Sequence, residues 1–473
     1  MGPSVIAIFD IGRTNKKFCL LNRNYEIVHE EIRQFSEIED EDGFLCEDLE
    51  EITKWMRKTL HDWLKSRDYT IRAINFSAYG AGLVHVNKSG KPVAPIYNYW
   101  KPLPQHIKDE FFEKYGPKEK FLKETATGDL NMLNSGMQLF WLRNEKPEVF
   151  KKVHSSLYLP QYLSAFISGK NFSELTSLGL HSMIWDFSKD RSHDWVYKEK
   201  LYNKFPPVIS ATASEKVRIK NRELKCGIGI QDSLASLYPY QISNERTYVA
   251  LTSGCWSIAM NPFDESEITE DELSQDVFKA LDSSGKAIRT ARIFLGREHD
   301  YQTKQIAQHF GKDPSYAFEF DLNEKTLERL AQFPNPNRAF YPKNFVGTGP
   351  FPSAYEKTVD LSLFSDFEEA YHQLLLDLAY MQKVSLELSF GPKGMDKVFM
   401  AGGFSLNEKY TKTLASIIPD IQLFKNNIKW SAVLGAALLL HNQWNKQTEI
   451  DNLLNFTEVE PLDIDISGYK SPF

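Results

Sequence analysis

Apolar residues recurring with a period of two, or of three to four, divide this chain into strands and helices. Residues 4–11 form an apolar, β-branched run that carries Asp10 near its end. The polar turn Gly12-Arg13-Thr14-Asn15-Lys16-Lys17 follows and Phe18-Cys19-Leu20-Leu21 returns, which predicts a hairpin. Residues 26–32 continue it as a third extended piece. Leu49, Ile52, Trp55, Met56, Leu60, Trp63 and Leu64 fall at helical spacing, so 49–64 should be an amphipathic helix with its tryptophans in the core. Residues 71–77 read as a strand broken at Ala78-Tyr79-Gly80-Ala81-Gly82. After it, 83–87 reads as a hairpin arm that turns at Lys88-Ser89-Gly90-Lys91, with extended chain from Val93 to Trp100. Buried helices are predicted over 134–144 and 157–167, the second with Pro160 in its first turn and Gly169 just past its end.

Residues 226–231 are Gly-containing and extended, and a helix begins near Asp232, an acid favoured as N-cap. Beyond polar chain at 241–247, residues 248–260 repeat the logic of the opening: apolar strand, the turn Thr252-Ser253-Gly254-Cys255, apolar strand. That repetition suggests a duplicated architecture. Residues 264–352 give mixed signals, with Pro334, Pro336, Pro342 and Pro350 marking irregular chain. A long helix over 366–388 follows, then a strand at 397–401 that runs into Gly402-Gly403-Phe404-Ser405, a helix over 407–418, a strand at 421–424 and a small-residue helix over 432–440.

Composition narrows the class. At 473 residues the chain exceeds one ordinary core, so two domains are expected, 1–243 and 244–473. With 42% hydrophobic and 25% charged residues it resembles a soluble globular protein, and no window nears the ~20 consecutive apolar residues of a membrane span. A net charge of −7 argues against nonspecific nucleic-acid binding. Cys19, Cys46, Cys226 and Cys255 lie far apart without CxxC spacing, and the N-terminus lacks a signal-peptide pattern, so a reducing, cytoplasmic setting is expected. The acidic run 37–42 reads as a solvated loop rather than a cation site.

Several short segments carry candidate chemistry. A carboxylate delivered into a Gly turn with hydroxyl, amide and lysine donors can hold phosphates with a metal. The glycines at 80 and 82 let backbone approach a ligand, or simply turn between strands, and Gly402-Gly403 before a helix suits a flat ring or a phosphate. His181 reads as a hydrogen-bonded structural histidine before a catalytic one. Capping alone would account for Asp232.

The order Asp-x-Gly-x-Thr-Asn at 10–15, Gly-x-Gln-Asp at 229–232, Thr-Ser-Gly-Cys-Trp-Ser at 252–257 and Gly-Gly-Phe-Ser at 402–405 resembles the FGGY family of carbohydrate kinases, in the actin-like ATPase and sugar kinase superfamily. The likeness runs over essentially the whole chain and is strongest to its rhamnulokinase-like and xylulokinase-like branches. It implies an α/β fold of two duplicated actin/ribonuclease H-like domains, each with a mixed sheet and flanking helices, and a ligand cleft between them. It also implies transfer of the γ-phosphoryl group of ATP, with Mg2+, to a hydroxyl of a small sugar, a ketose or deoxyketose. Asp10 would face the magnesium through water, and Gly12, Thr14, Asn15 and Lys17 would line the phosphate turn. Thr252, Ser253 and Gly254 would form the opposing turn, Gly402 and Gly403 would pass beside adenosine, and Asp232 would be the general base. Tyr79, Gly80, Ala81, Tyr99, Trp100, His181 and Gln231 are the sugar-site candidates.

Three residues depart from the family pattern. Arg13 stands where a small or hydroxyl residue is usual, Gln231 where His often precedes the catalytic Asp, and Cys255 where Thr is usual. The Arg13 side chain could contact phosphate or point to solvent, and Tyr79-Gly80-Ala81 in place of bulkier polar residues weakens the case for xylulose. The expected partners are a sugar and ATP, with no nucleic acid and no membrane, and a homodimer is left open. Two other readings are a sugar or nucleotide sensor altered in catalysis and an actin-like ATPase without a sugar substrate.

Overall fold

The computed structural model describes residues 2–243, 245–344, 349–351, 355–426, 428–450 and 453–473. They form two compact units: Met1–Asn244 with Lys279–Ala287 and Trp430–Leu453, and Glu245–Phe278 with Ile288–Lys429 and Leu454–Phe473. The units are therefore discontinuous, unlike the simple division at 243/244. The closing helix Ser431–Leu438 packs on the helix Asp232–Gln241 of the first unit, and only a glycine fits the contact, because a Cβ on Gly435 would stand 1.7 Å from the Ala235 carbonyl oxygen.

The first sheet contains β1 (Ser4–Ile11), β2 (Lys16–Leu21), β3 (Ile27–Arg33), β4 (Thr70–Ala78), β5 (Ser214–Ile219), β6 (Arg222–Gly227) and β7 (Ile230–Gln231). Its order is β5-β6-β4-β1-β2-β3, with β7 also on β4. β1 pairs antiparallel with β2 and parallel with β4, and β4 is parallel to β6 and β7. Strands buried on both faces are expected to be continuously apolar, as β1 is. The helix Leu49–Lys65, capped by Asp48 accepting from Glu51 N, lays Ile52, Met56 and Leu60 on this sheet's core. Trp55 meets Phe9 edge-on with 5.4 Å between ring centres.

The second sheet contains β8 (Val249–Ser253), β9 (Ser257–Asn261), β10 (Val277–Leu281), β11 (Ala287–Ile293), β12 (Lys397–Gly402), β13 (Gln422–Asn426) and β14 (Phe456–Glu458). Its order is β10-β11-β9-β8-β12-β13-β14. From β11 to β14 the senses run antiparallel, antiparallel, parallel, parallel, antiparallel, the same series met from β3 to β5. The duplication suggested by two opening hairpins is thus a duplication of sheet topology. The helix Phe367–Phe390, with Asp366 as N-cap, is buried around most of its circumference against this sheet.

The structure adds to or corrects the local pattern in four places. Residues 83–86 do turn back through Gly90 as expected, with Val93 N donating to His85 O at 2.9 Å and a single bridge from Val86 to Pro92, but they also form a full ladder elsewhere. Their partner is Ser155–Tyr158, a strand hidden in an apolar stretch that continues straight into the helix Leu159–Ser168. The acidic run is not merely solvated: Asp40 is buried, and Lys101 Nζ donates to Asp40 at 2.6 Å and to Asp42 at 2.7 Å. The stretch 264–352, mixed in pattern, supplies β10, β11 and the helices Leu295–Phe310 and Glu324–Gln332. The extended chain before residue 231 has an antiparallel partner, β5, which the pattern does not mark.

Candidate active site

Parallel pairing brings the chemistry of the first unit together. Asp10 lies beside Ser77 and Gln231 beside Ala78, so β1, β4 and β7 end along one edge and release Asp10, Tyr79-Gly80 and Asp232 there. The antiparallel register sets Lys17 opposite Asp10. Lys17 Nζ donates to Asp10 Oδ2 at 2.7 Å and sits 4.6 Å from the centre of the Trp430 ring. Burial lowers the Lys17 pKa, but the charge and hydrogen bond of Asp10 outweigh it and the ammonium ends above its ordinary value. Asp10 itself is buried.

Asp232 is the first residue of its helix, which corrects the expectation that it is the N-cap. The extended backbone falls on Gln231, whose side-chain oxygen accepts from Leu234 N at 3.0 Å. Asp232 is left free of that role. Its Oδ1 accepts from Ser233 N at 2.7 Å and from Gln231 Nε2, while Oδ2 has no hydrogen-bond partner among the described residues. Burial, then the nearby charge of Asp10, push this carboxyl up to about 7 against the Ser233 bonds and Lys17.

The sugar-site candidates separate into two neighbouring groups. A Cβ at Gly80 would stand 3.7 Å from Gln231 Nε2, 3.7 Å from His181 Nε2 and 2.9 Å from Leu180 Cδ2, so Gly80, Gln231 and His181 converge. His181 Nδ1 donates to the Leu133 carbonyl at 3.1 Å, a structural bond. Tyr79 and Tyr99 meet edge-on at 6.1 Å, and Tyr99 and Trp100 are tilted at 5.2 Å, with Trp100 exposed. Ala81 adopts a left-handed φ of 62°, and its carbonyl accepts from the buried Gln138 Nε2 at 2.8 Å. Gln138 is a neighbour of the candidate site that the pattern does not single out, since it lies in the apolar middle of its helix.

Arg13 does not point free into solvent. Its guanidinium pairs with Glu37 and, at 2.7 Å, with Glu47, which is itself buried and bound by the buried Lys16 at 2.9 Å. No local signal marks Glu47, because its partners are more than thirty residues away. In the rest of the turn, Gly12 N donates to Asn15 O at 3.0 Å, Asn15 Oδ1 accepts from Gln34, and Thr14 is exposed.

In the second unit, Ser253 pairs with Gly402 across parallel strands, so the turn Thr252-Ser253-Gly254 and the pair Gly402-Gly403 leave one sheet edge together. Gly402 has a φ of 94°, and its Cβ would stand 2.2 Å from Ser253 O. Gly296, in the stretch of mixed pattern, seals the other side, since a Cβ there would stand 2.1 Å from Gly254 O. Ser253 Oγ donates to Ala401 O at 2.9 Å and Cys255 is exposed. Trp256 lies against Phe294, 4.4 Å between ring centres, and under the Arg292 guanidinium at 5.0 Å.

Among the described residues no three or more His, Cys, Asp or Glu are grouped to hold a metal ion. A magnesium ion at Asp10 would therefore take most of its oxygen ligands from phosphate and water, which suits a hard cation delivered with a nucleotide. Among the described residues no helix is long and apolar enough to cross a membrane.

The chain matches the FGGY family of carbohydrate kinases, N-terminal domain, over residues 5–233 and the carbohydrate kinase FGGY, C-terminal domain, over 245–449. A rhamnulokinase of Halalkalibacterium halodurans is 24% identical over 188 residues, 39% of each chain, and one of Oceanobacillus iheyensis 18% identical over 246 residues, 50% of this chain and 51% of that one. The chain thus spans between two fifths and about half of the curated relatives it matches. Similar solved folds include a carbohydrate kinase from Novosphingobium aromaticivorans, with TM-score 0.77 and 21% identity over 98% of this chain and 95% of that one. A ligand-bound xylulose kinase from Lactobacillus acidophilus has TM-score 0.78 and 14% identity over 97% and 94%. A Plasmodium falciparum glycerol kinase with ADP has TM-score 0.73 and 16% identity over 96% and 92%. With both its N- and C-terminal domains matched along most of its length, the chain belongs to the FGGY family of carbohydrate kinases.

Proposed function

We propose that this protein is an ATP-dependent sugar kinase and that Asp232 is its general base. The observation that carries the reading is the Asp232 carboxylate: one oxygen anchored, the other open, and a pKa raised to about 7 at the edge where Asp10 and Lys17 lie. A base with a pKa near the working pH takes a hydroxyl proton effectively as the phosphoryl group moves in line. Most of the remaining catalysis in phosphoryl transfer is placement and neutralisation of charge. Magnesium, when bound, supplies charge neutralisation on the phosphates, and Asp10 is the residue that would face it. Lys17 and the backbone of Gly12, Thr14 and Asn15 would hold phosphate in the first unit, as Thr252, Ser253 and Gly254 would in the second, with Gly402 and Gly403 beside adenosine.

We place the sugar near Gly80, Gln231 and His181, with Tyr79, Tyr99 and Trp100 as an aromatic neighbour and Ala81 in the loop between them. A ketose or a deoxyketose is the proposed substrate. Four free cysteines support a reducing, cytoplasmic setting.

Release of ADP, measured over a panel of ketoses, deoxyketoses, aldoses and polyols, tests this reading beside Asp232→Ala. Sugar-stimulated release abolished in the variant is expected. Hydrolysis indifferent to sugar would favour an actin-like ATPase, and sugar binding without ADP release a sensor. Stimulated release that survives Asp232→Ala would remove the base assignment.

A further inference from the structure

Glu174 is fully buried and has no ion pair among the described residues, an expensive condition for a carboxylate. Five hydrogen bonds satisfy it: Thr176 N and Thr176 Oγ1, each at 2.7 Å, Ser177 N at 2.8 Å, Ser177 Oγ at 2.6 Å and Gln161 Nε2 at 3.3 Å. Formally it caps the helix Leu175–Leu178, yet four residues of helix scarcely call for a buried charge.

Two of its partners reach beyond that helix. Thr176 Oγ1 donates its hydrogen to Glu174, which leaves its oxygen lone pairs free to accept from elsewhere. One of them accepts from Gln231 N at 3.2 Å. Gln161 Nε2 also donates to the Gly229 carbonyl at 3.0 Å. Gly229 is held in turn: its φ is 86°, and a Cβ there would stand 2.4 Å from Pro160 O. Both bridges therefore end on the short segment that delivers Asp232, and Gln231 passes the restraint on by capping the helix and donating to Asp232 Oδ1. In the other direction the same turn leads to Leu180 and His181, which border Gly80.

We propose that Glu174 is a positioning residue that holds the base and the sugar loop in register, through Thr176 on one side and Gln161 on the other. The proposal rests on the kinase reading above. Because Glu174 and Gln161 are buried among many contacts, the sharpest variants are at Thr176: Val removes the hydroxyl at nearly constant shape, and Ser keeps it.

The experiment compares Thr176→Val, Thr176→Ser, Glu174→Gln and Asp232→Asn for kcat, the KM of ATP, and the pH profile of kcat/KM with the best sugar of the panel. Near-UV circular dichroism confirms that each variant is folded. In Thr176→Val, kcat should fall about tenfold, roughly the effect of losing one buried hydrogen bond, with the KM of ATP unchanged. Its acid limb should move to higher pH as the hold on Asp232 loosens. Thr176→Ser should restore both, and Glu174→Gln should resemble the Val variant because an amide can turn the hydroxyl round. A Val variant with wild-type kcat and pH profile, beside an inactive Asp232→Asn, would overturn the positioning role. Turnover that persists in Asp232→Asn would instead overturn the base assignment, and the proposal with it.

Discussion

At the residue scale the proposed base, Asp232, sets the pH dependence expected of this molecule's chemistry. Burial and the charge of Asp10 raise its pKa to about 7, so the base is increasingly protonated below that pH, and kcat/KM should fall on the acid side with an apparent pKa near it. Stability follows the opposite course. An unfolded Asp ionises near ~3.9, so between there and about 7 the folded state binds the extra proton. The stabilising contribution is complete below the unfolded pKa and is lost as pH rises through the folded one. Asp232→Asn should therefore raise Tm relative to wild type at pH 8, and the difference should shrink toward pH 5 in a calorimetric series. No such convergence would mean that the folded carboxyl is not displaced upward.

Two cations in the same hairpin should behave differently. Lys17 pairs with Asp10 and acts to lower the Asp232 pKa, so Lys17→Met should move the acid limb of kcat/KM to higher pH as well as slow turnover. Arg13 is committed to Glu37 and Glu47. Arg13→Ala should cost about 1 kcal/mol in a denaturant titration while leaving the KM of ATP nearly unchanged. A large rise in that KM would put the guanidinium on phosphate instead.

At the scale of elements, the candidate site residues collect where parallel strands end. The β1, β4 and β7 ends present Asp10, Tyr79-Gly80 and Asp232, and the β8 and β12 ends present Ser253 and Gly402. The turn Thr252–Gly254 is held by two close approaches that admit no Cβ, one at Gly402 and one at Gly296. Gly402→Ala and Gly296→Ala should each raise the KM of ATP and lower Tm, whereas Gly468→Ala, with nothing within 4 Å, should do neither. Of these glycines, Gly402 is visible in sequence because it follows an apolar strand. Gly296 is not, because its partner is the backbone of a turn forty residues earlier. Gln138 and Glu47 are invisible for the same reason: a polar residue in an apolar run or an acidic stretch looks ordinary until its partner is known.

For the molecule as a whole, nucleotide and sugar should stabilise the fold by mass action. ATP with Mg2+ at about a hundred times its Kd should add ~2.7 kcal/mol, seen as a rise in Tm that chelation of the metal diminishes. An unchanged Tm in ATP, Mg2+ and sugar together would argue against the proposed ligands.

The repeated strand, turn, strand pattern was enough to imply two related halves, because strand period and turn chemistry are local properties carried by adjacent residues. The first hairpin, Asp10 through Lys17, was legible for that reason, as were the helices at 49, 159, 367 and 408. Pairing between distant segments is another matter. That residues 83–86 pair with 155–158, that the helix at 431 belongs with the first unit, and that Gln231 rather than Asp232 caps its helix all depend on which surfaces meet after the chain has closed on itself. The electrostatic state of Asp232 belongs to that second class, since a raised carboxyl pKa requires burial and a neighbouring charge that come from strands more than two hundred residues apart.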